Sequence, residues 1–156
     1  QLFYDRADIA FANARREKSS VAVVSLDVDR LKSINDQWGH AAGDFTLVSV
    51  SGRLLNLLRE SDTVSRFGGD EFLILLDGVQ AAEDIGRVVK RMIDNLAEPI
   101  LFEGHPMTIS ASVGIALYPN DDTEIEELIR KSDEAMYYIK EHGRNGYKFY
   151  SDIMQG

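Results

Sequence analysis

Apolar and polar positions divide the chain into stretches of helical and of strand period. Residues 2 to 17 set Leu2, Phe3, Ile9, Ala10 and Phe11 among charges and read as a helix ending near Lys18-Ser19-Ser20. The run Val21-Ala22-Val23-Val24-Ser25-Leu26-Asp27-Val28 is β-branched and too apolar for an edge, so it predicts a central strand. A short helix through Leu31, Ile34 and Asn35 follows. Gly39 and Gly43 then break the chain before a longer helix over 44 to 59, in which Leu47, Val48, Ser51, Leu54, Leu55 and Leu58 share one face.

Thr63 to Phe67 and Glu71 to Leu76 read as two short strands joined by a tight hairpin at Gly68-Gly69-Asp70, because glycine supplies positive φ. Asp77-Gly78 closes the second of them. Ile85, Val88, Val89, Met92, Ile93 and Leu96 recur at helical spacing up to the stop at Pro99. From Met107 to Leu117 the alternation of Ile109, Ala111, Val113, Ile115 and Leu117 predicts a strand. Ile125, Leu128, Ile129, Ala135, Met136 and Ile139 give a last long helix, and Tyr147 to Tyr150 a last strand. Helices interleaved with strands that are partly joined by hairpins mean an α+β fold, a central mixed and mostly antiparallel sheet flanked by helices.

Composition narrows the chemistry. With 156 residues, 44% hydrophobic and 28% charged, the chain reads as a single domain over 1–156 able to bury a core. It opens on Gln1 without a Met and is expected to be one domain of a longer protein. Cysteine is absent, which removes disulfides, thiolate metal sites and thiol nucleophiles, and fits a cytoplasmic setting. The net charge of −9 argues against a nucleic-acid polymer as partner, since counterion release needs a basic surface. No apolar run approaches the length of a membrane span. Neither a G-x-G-x-x-G following the first strand nor a G-x-x-x-x-G-K-[ST] is present, so the usual dinucleotide and P-loop devices are missing. His40, His105 and His142 lack the spacing of a zinc site.

Asp27 and Asp29 stand two apart at a strand end, where extended geometry points both to one face and could hold a hard cation. Equally, Asp29 could cap the next helix and Asp27 could be a solvated strand end. Asp70 and Glu71 follow two glycines at a hairpin tip, a place where a phosphate can approach bare backbone. If the two strands are neighbours, Asp27 and Asp70 converge. Carboxylates completed by waters and substrate phosphates are the usual way to hold Mg²⁺.

Arg66-Phe67-Gly68-Gly69-Asp70-Glu71-Phe72 resembles the motif that names the GGDEF domains, the diguanylate cyclases, whose fold is palm-like. Asp27 through Asp36, Gly39-His40-Ala41-Ala42-Gly43-Asp44 and Lys140 through Gly146 resemble further family segments at family spacing. The resemblance implies condensation of two GTP into cyclic di-GMP with loss of pyrophosphate, on a homodimer, with Mg²⁺ or Mn²⁺. It implies Asp27, the Val28 carbonyl, Asp70 and Glu71 as metal ligands, and Asp70, Glu71 and Lys32 as the catalytic set. Asn35 and Asp44 match positions that read the guanine edge, Lys32, Lys140 and Arg144 match phosphate contacts, and Gly68 and Gly69 line the substrate. Arg59-Glu60-Ser61-Asp62 resembles an inhibitory site where product binds through Arg59 and Asp62, with Lys90 or Arg91 as a second cation. Leu31 stands where an aromatic is common in the family. The ending Phe149 through Met154 resembles GGDEF domains that continue into an EAL phosphodiesterase domain, and sensor domains are the other expected neighbours. The rival reading is a domain that binds GTP or cyclic di-GMP to control a partner without turnover; another palm-type phosphoryl transferase is a third.

Overall fold

The computed structural model describes residues 2–154. Its elements in chain order are α1 Leu2–Glu17, β1 Ser20–Val28, α2 Leu31–Trp38, α3 His40–Leu57, β2 Thr63–Phe67 and β3 Glu71–Val79. There follow α4 Ala82–Leu96, β4 Ile100–Phe102, β5 His105–Met107, β6 Ala111–Tyr118, α5 Ile125–Glu141, β7 Gly146–Phe149 and α6 Tyr150–Met154. Five strands form one sheet in the order β2-β3-β1-β6-β7, and β4 pairs with β5 as a separate ribbon. The β2–β3, β1–β3 and β1–β6 pairs are antiparallel, and β6–β7 is parallel.

β1 lies at the centre, and all of Val21 to Val28 is buried. Alternation along it feeds two cores. Ala22, Val24, Leu26 and Val28 face α3 and α4, where Val50, Leu54, Ile85, Val89 and Met92 pack. Val21 and Val23 face the other way, onto Phe3, Ala7 and Phe11 of α1 and Leu128 of α5. Each fully buried aliphatic side chain contributes about 1.5–3 kcal/mol, so burial on both faces makes β1 the shared wall of the two cores. Ser25 and Asp27 share the α1/α5 side by the same period of two.

Helix α5 lies so close to β6 that a Cβ at Gly114 would sit 2.0 Å from the Ser132 carbonyl oxygen and 2.3 Å from the Met136 nitrogen. That approach carries the C-terminal end of α5 over the end of β1. Ser25 and Ser132 share a buried hydroxyl hydrogen bond of 2.6 Å across the same interface.

Several boundaries differ from the sequence-based expectation. Only Gly39, at φ 95°, breaks the chain; Gly43 lies inside α3, which starts at His40 rather than 44. The buried face of α3 is Leu47, Val50 and Leu54, whereas Val48 and Leu55 are 66% and 59% exposed. Leu47 and Leu54 are buried as expected, and the face turns toward Thr46 and Val50 instead of Val48 and Leu55 because that side of α3 packs on the core. β3 continues through Asp77-Gly78 to Val79, paired with Ser20 past an irregularity in the register. The 107–117 stretch is split at 108–110 between β5 and β6, and Tyr150 begins α6 rather than ending β7.

Candidate active site

Pairing of β1 with β3 sets Asp27 directly opposite Glu71, and pairing with β6 sets Asp27 opposite Ser112. Directly opposed residues on one sheet face bring their side chains within contact range. Asp70, one step back at the hairpin tip, is tied to β1 through its carbonyl, which accepts the Val28 N–H at 3.3 Å. The turn itself is formed by Gly68 at φ 66°, and the Arg66 guanidinium clips it by donating to the Gly69 carbonyl at 2.9 and 3.2 Å. A Cβ at either glycine would meet nothing within 4 Å, so the hairpin tip is open on its outer side.

The Asp27 carboxylate is 4% exposed and forms an ion pair with Lys140 of α5. Its second oxygen, Oδ1, is buried with no hydrogen-bond partner. Burial pushes the Asp27 carboxyl up to about 6; Lys140 opposes this, and the charges of Asp70 and Glu71 add to it. Glu71 is also raised, first by burial, then by Asp133 and Asp70, against the pull of Lys140. Asp27 and Glu71 thus both feel neighbouring acidic charge, which Lys140 offsets only in part.

Asp29 behaves differently from Asp27. It accepts the Ser110 hydroxyl at 2.7 Å, the Ser112 hydroxyl at 2.6 Å and the Asn145 N–H at 3.1 Å, with the Arg144 guanidinium 3.9 Å away. Nor does it cap α2, whose N-cap is Arg30 in the left-handed region without a side-chain hydrogen bond. Asp29 is instead the anchor that ties the turn after α5 to the end of β1. In that turn Gly143, Arg144 and Asn145 all have positive φ, and the Arg144 N–H returns to the Ile139 carbonyl at 2.8 Å. Arg144 is thus held beside Asp29.

Lys32 is exposed in the first turn of α2, and Asp44 is exposed near the start of α3. Asn35 lies on α2 with its amide against α3, and its Oδ1 is the second buried oxygen without a partner. Residues to which the sequence reading assigned no role also appear. Ser110 and Ser112 hold Asp29; Arg66 holds the hairpin. Asp133 sits seven positions before Lys140 on the same face of α5, its carboxyl raised by burial and partly offset by the Ser25 hydroxyl. That helical spacing was the available signal.

At the far end of β3 from Asp70, Asp62 accepts the Asp77 N–H at 3.1 Å and the Arg59 N–H at 3.0 Å. The Arg59 guanidinium also pairs with Asp62 and donates to the Asp77 carbonyl. A cavity of about 350 Å³ opens there, lined by Leu57, Arg59, Asp62, Gly78, Val88 and Arg91. Of the two cations considered on α4, Arg91 lines this cavity, while Lys90 pairs with Asp94.

Among the described residues no three acidic or imidazole groups converge to cage a metal on their own. The unpaired Asp27 oxygen beside Glu71 nevertheless fits a hard cation whose shell is completed by phosphate oxygens and water. No helix among the described residues is long and apolar enough to cross a membrane.

The family model described as "Diguanylate cyclase, GGDEF domain" matches residues 1–146. The chain is 39% identical over 153 residues to MucR of Pseudomonas aeruginosa, a bifunctional diguanylate cyclase/cyclic di-GMP phosphodiesterase, covering 98% of this chain and 22% of that protein. It is 40% identical over 144 residues to the diguanylate cyclase TpbB of the same organism, covering 92% of this chain and 33% of that protein. The crystal structure of the TpbB GGDEF domain superposes with a TM-score of 0.91 at 38% identity, covering 95% of this chain and 92% of that one. The chain therefore spans a third or less of these two curated relatives. With a palm-like sheet, a Gly-Gly-Asp-Glu hairpin seated against the buried Asp27, and a family match over most of its length, the chain belongs to the GGDEF family.

Proposed function

We propose that this domain condenses two GTP into cyclic di-GMP and two pyrophosphates. The observation that carries the proposal is the carboxylate cluster in which buried Asp27, with its free Oδ1, opposes Glu71 beside the open glycine hairpin. Asp27, the Val28 carbonyl, Asp70 and Glu71 would hold Mg²⁺ or Mn²⁺. The chemistry a bound cation supplies here is polarisation of the α-phosphate and acidification of the attacking hydroxyl.

The remaining parts act on the nucleotide directly. In each half-reaction a ribose 3′-oxygen bonds to the α-phosphorus of the other GTP, the bond to the β-phosphate oxygen breaks, pyrophosphate leaves, and the hydroxyl proton is released. Lys32 and Arg144 would neutralise phosphate charge, with Lys140 shared between Asp27 and the phosphates. Gly68 and Gly69 let the triphosphate lie along backbone. Asn35 and Asp44 offer the donor and acceptor set that the guanine edge needs, so GTP is favoured over ATP.

Since each GTP serves as both nucleophile and electrophile, one nucleotide pocket cannot align both ends, and a two-fold pair of domains can. The rate per chain should then rise with protein concentration. The Arg59–Asp62 cavity, at the opposite end of β3, suits product feedback, because an Arg fork and a carboxylate match phosphate and guanine. A GTP substrate supports a cytoplasmic setting for the reaction. The deciding experiment is incubation with GTP and Mg²⁺ at several protein concentrations, with chromatographic resolution of products. Cyclic di-GMP and pyrophosphate in one-to-two ratio are expected; GTP binding without product would overturn the proposal in favour of a regulatory binding domain.

A further inference from the structure

Gly43 presents a puzzle of placement. It lies inside α3 with a φ outside the left-handed region, where glycine costs about 1 kcal/mol relative to alanine and supplies no needed conformation. Gly52 in the same helix faces open space, and a Cβ there would meet nothing within 4 Å. At Gly43 the situation is opposite. A Cβ would lie 1.8 Å from Asn35 Oδ1, 2.8 Å from its Cγ and 3.3 Å from its Nδ2, with no other atom among the three nearest.

The backbone at this corner leaves Asn35 little room to retreat. The Asn35 carbonyl accepts the Gly39 N–H at 2.8 Å, and the Gly39 carbonyl accepts the N–H groups of Ala42 at 3.1 Å and Gly43 at 3.3 Å. Helices α2 and α3 are thereby locked through the single residue between them. The Asn35 amide occupies the space that a Cβ at residue 43 would take. In that seat Oδ1 is buried and without a partner, which is costly unless a donor arrives.

We infer that Gly43 is a positioning residue for base selection: the missing side chain seats the Asn35 amide where its oxygen accepts from a guanine N–H. The inference rests on the guanine reading above and deepens it. Guanine carries an N1–H and a 2-amino group on the edge in question; adenine offers neither. A methyl group at position 43 evicts the amide and leaves base discrimination to Asp44.

The test uses equilibrium binding of the α,β-methylene analogues of GTP and ATP, with Mg²⁺, to this chain and to Gly43→Ala, Asn35→Ala, the double variant and Gly52→Ala as a helix control. Gly43→Ala should lower the GTP-over-ATP affinity ratio roughly tenfold, the size expected for one lost buried hydrogen bond. Asn35→Ala should lower it equally, and the double variant should match Asn35→Ala, since no amide remains to displace. Gly52→Ala should keep the ratio. An unchanged ratio in Gly43→Ala, or a further loss in the double variant beyond Asn35→Ala, would overturn the inference. Should Gly43→Ala fold poorly, removing the amide should restore the double variant to the stability of Asn35→Ala, because the added Cβ meets only Asn35 side-chain atoms among its three nearest; a double variant as unstable as Gly43→Ala would overturn the inference. Equal affinity of the unaltered chain for both analogues would overturn the guanine reading itself, before any variant is made.

Discussion

The ammonium of Lys140 meets the carboxylate of Asp27 across 113 residues of sequence, joining the end of α5 to the end of the central strand. The pair explains how an acidic group survives at the sheet centre. Replacing Lys140 by Met leaves Asp27 buried without a counter-charge, at a cost of about 2–3 kcal/mol, below the fully buried range because Lys140 is partly exposed. Urea denaturation in EDTA measures this. The double variant Asp27→Asn/Lys140→Met should recover most of the loss, and a double variant as unstable as Lys140→Met alone would show that packing, not charge, was removed.

Asp70 sits at the hairpin tip and holds β1 through its backbone carbonyl, which a side-chain change does not touch. Asp70→Asn should therefore melt at the temperature of the unaltered chain while cyclic di-GMP formation falls on the order of a hundredfold or more. Chelation by EDTA should produce a comparable loss in the unaltered chain. Near-normal turnover in Asp70→Asn would remove Asp70 from the metal site.

The two members of the Arg59–Asp62 motif should separate by stability. The Asp62 side chain is 4% exposed and satisfies two backbone N–H groups, whereas the Arg59 side chain is 63% exposed. Asp62→Ala should cost about 1–3 kcal/mol and Arg59→Ala no more than about 1. Arg59→Ala should also raise the cyclic di-GMP concentration needed for half-inhibition by about tenfold or more, as one charged fork is lost. Product inhibition that is unchanged in Arg59→Ala would assign the cavity some other ligand.

Asp133 gives a pH signature. Its folded carboxyl is raised above the ordinary 3.8 by burial, so the folded state holds this proton more tightly than the unfolded chain does. The stability this proton contributes is present below the unfolded value and is lost as pH rises through the raised folded one. Asp133→Asn mimics the protonated group. Its melting temperature relative to the unaltered chain should therefore climb as pH rises from the ordinary carboxylate range through the raised folded value, and a difference that stays flat with pH would show that Asp133 titrates as a solvated group.

Much of this protein can be read from local pattern. β1 announces itself because a strand buried on both faces must be apolar throughout, and the hairpin because Gly68 needs positive φ. The period-two rule alone places Asp27 and Asp29 on one side of the strand. Helix α4 follows from its 3.6-residue repeat, and the acidic motif could be named from the order of its residues.

What required the tertiary structure is every relation between elements. Asp27 and Asp29 look alike in sequence, yet only folding gives Asp27 an unpaired oxygen and an ammonium while Asp29 is saturated by Ser110, Ser112 and Asn145. The buried face of α3 fell on Val50 rather than Val48 because the helix rotation is set by what it packs against, not by its own composition. Gly43, read locally as a helix breaker, became a helix-interior seat for Asn35 because α2 folds back onto it. Local sequence encodes dihedral preference and periodicity, which act over a few residues. Charge pairing, hydrogen-bond saturation and exclusion by a neighbour's atoms arise only when distant segments occupy the same few ångströms.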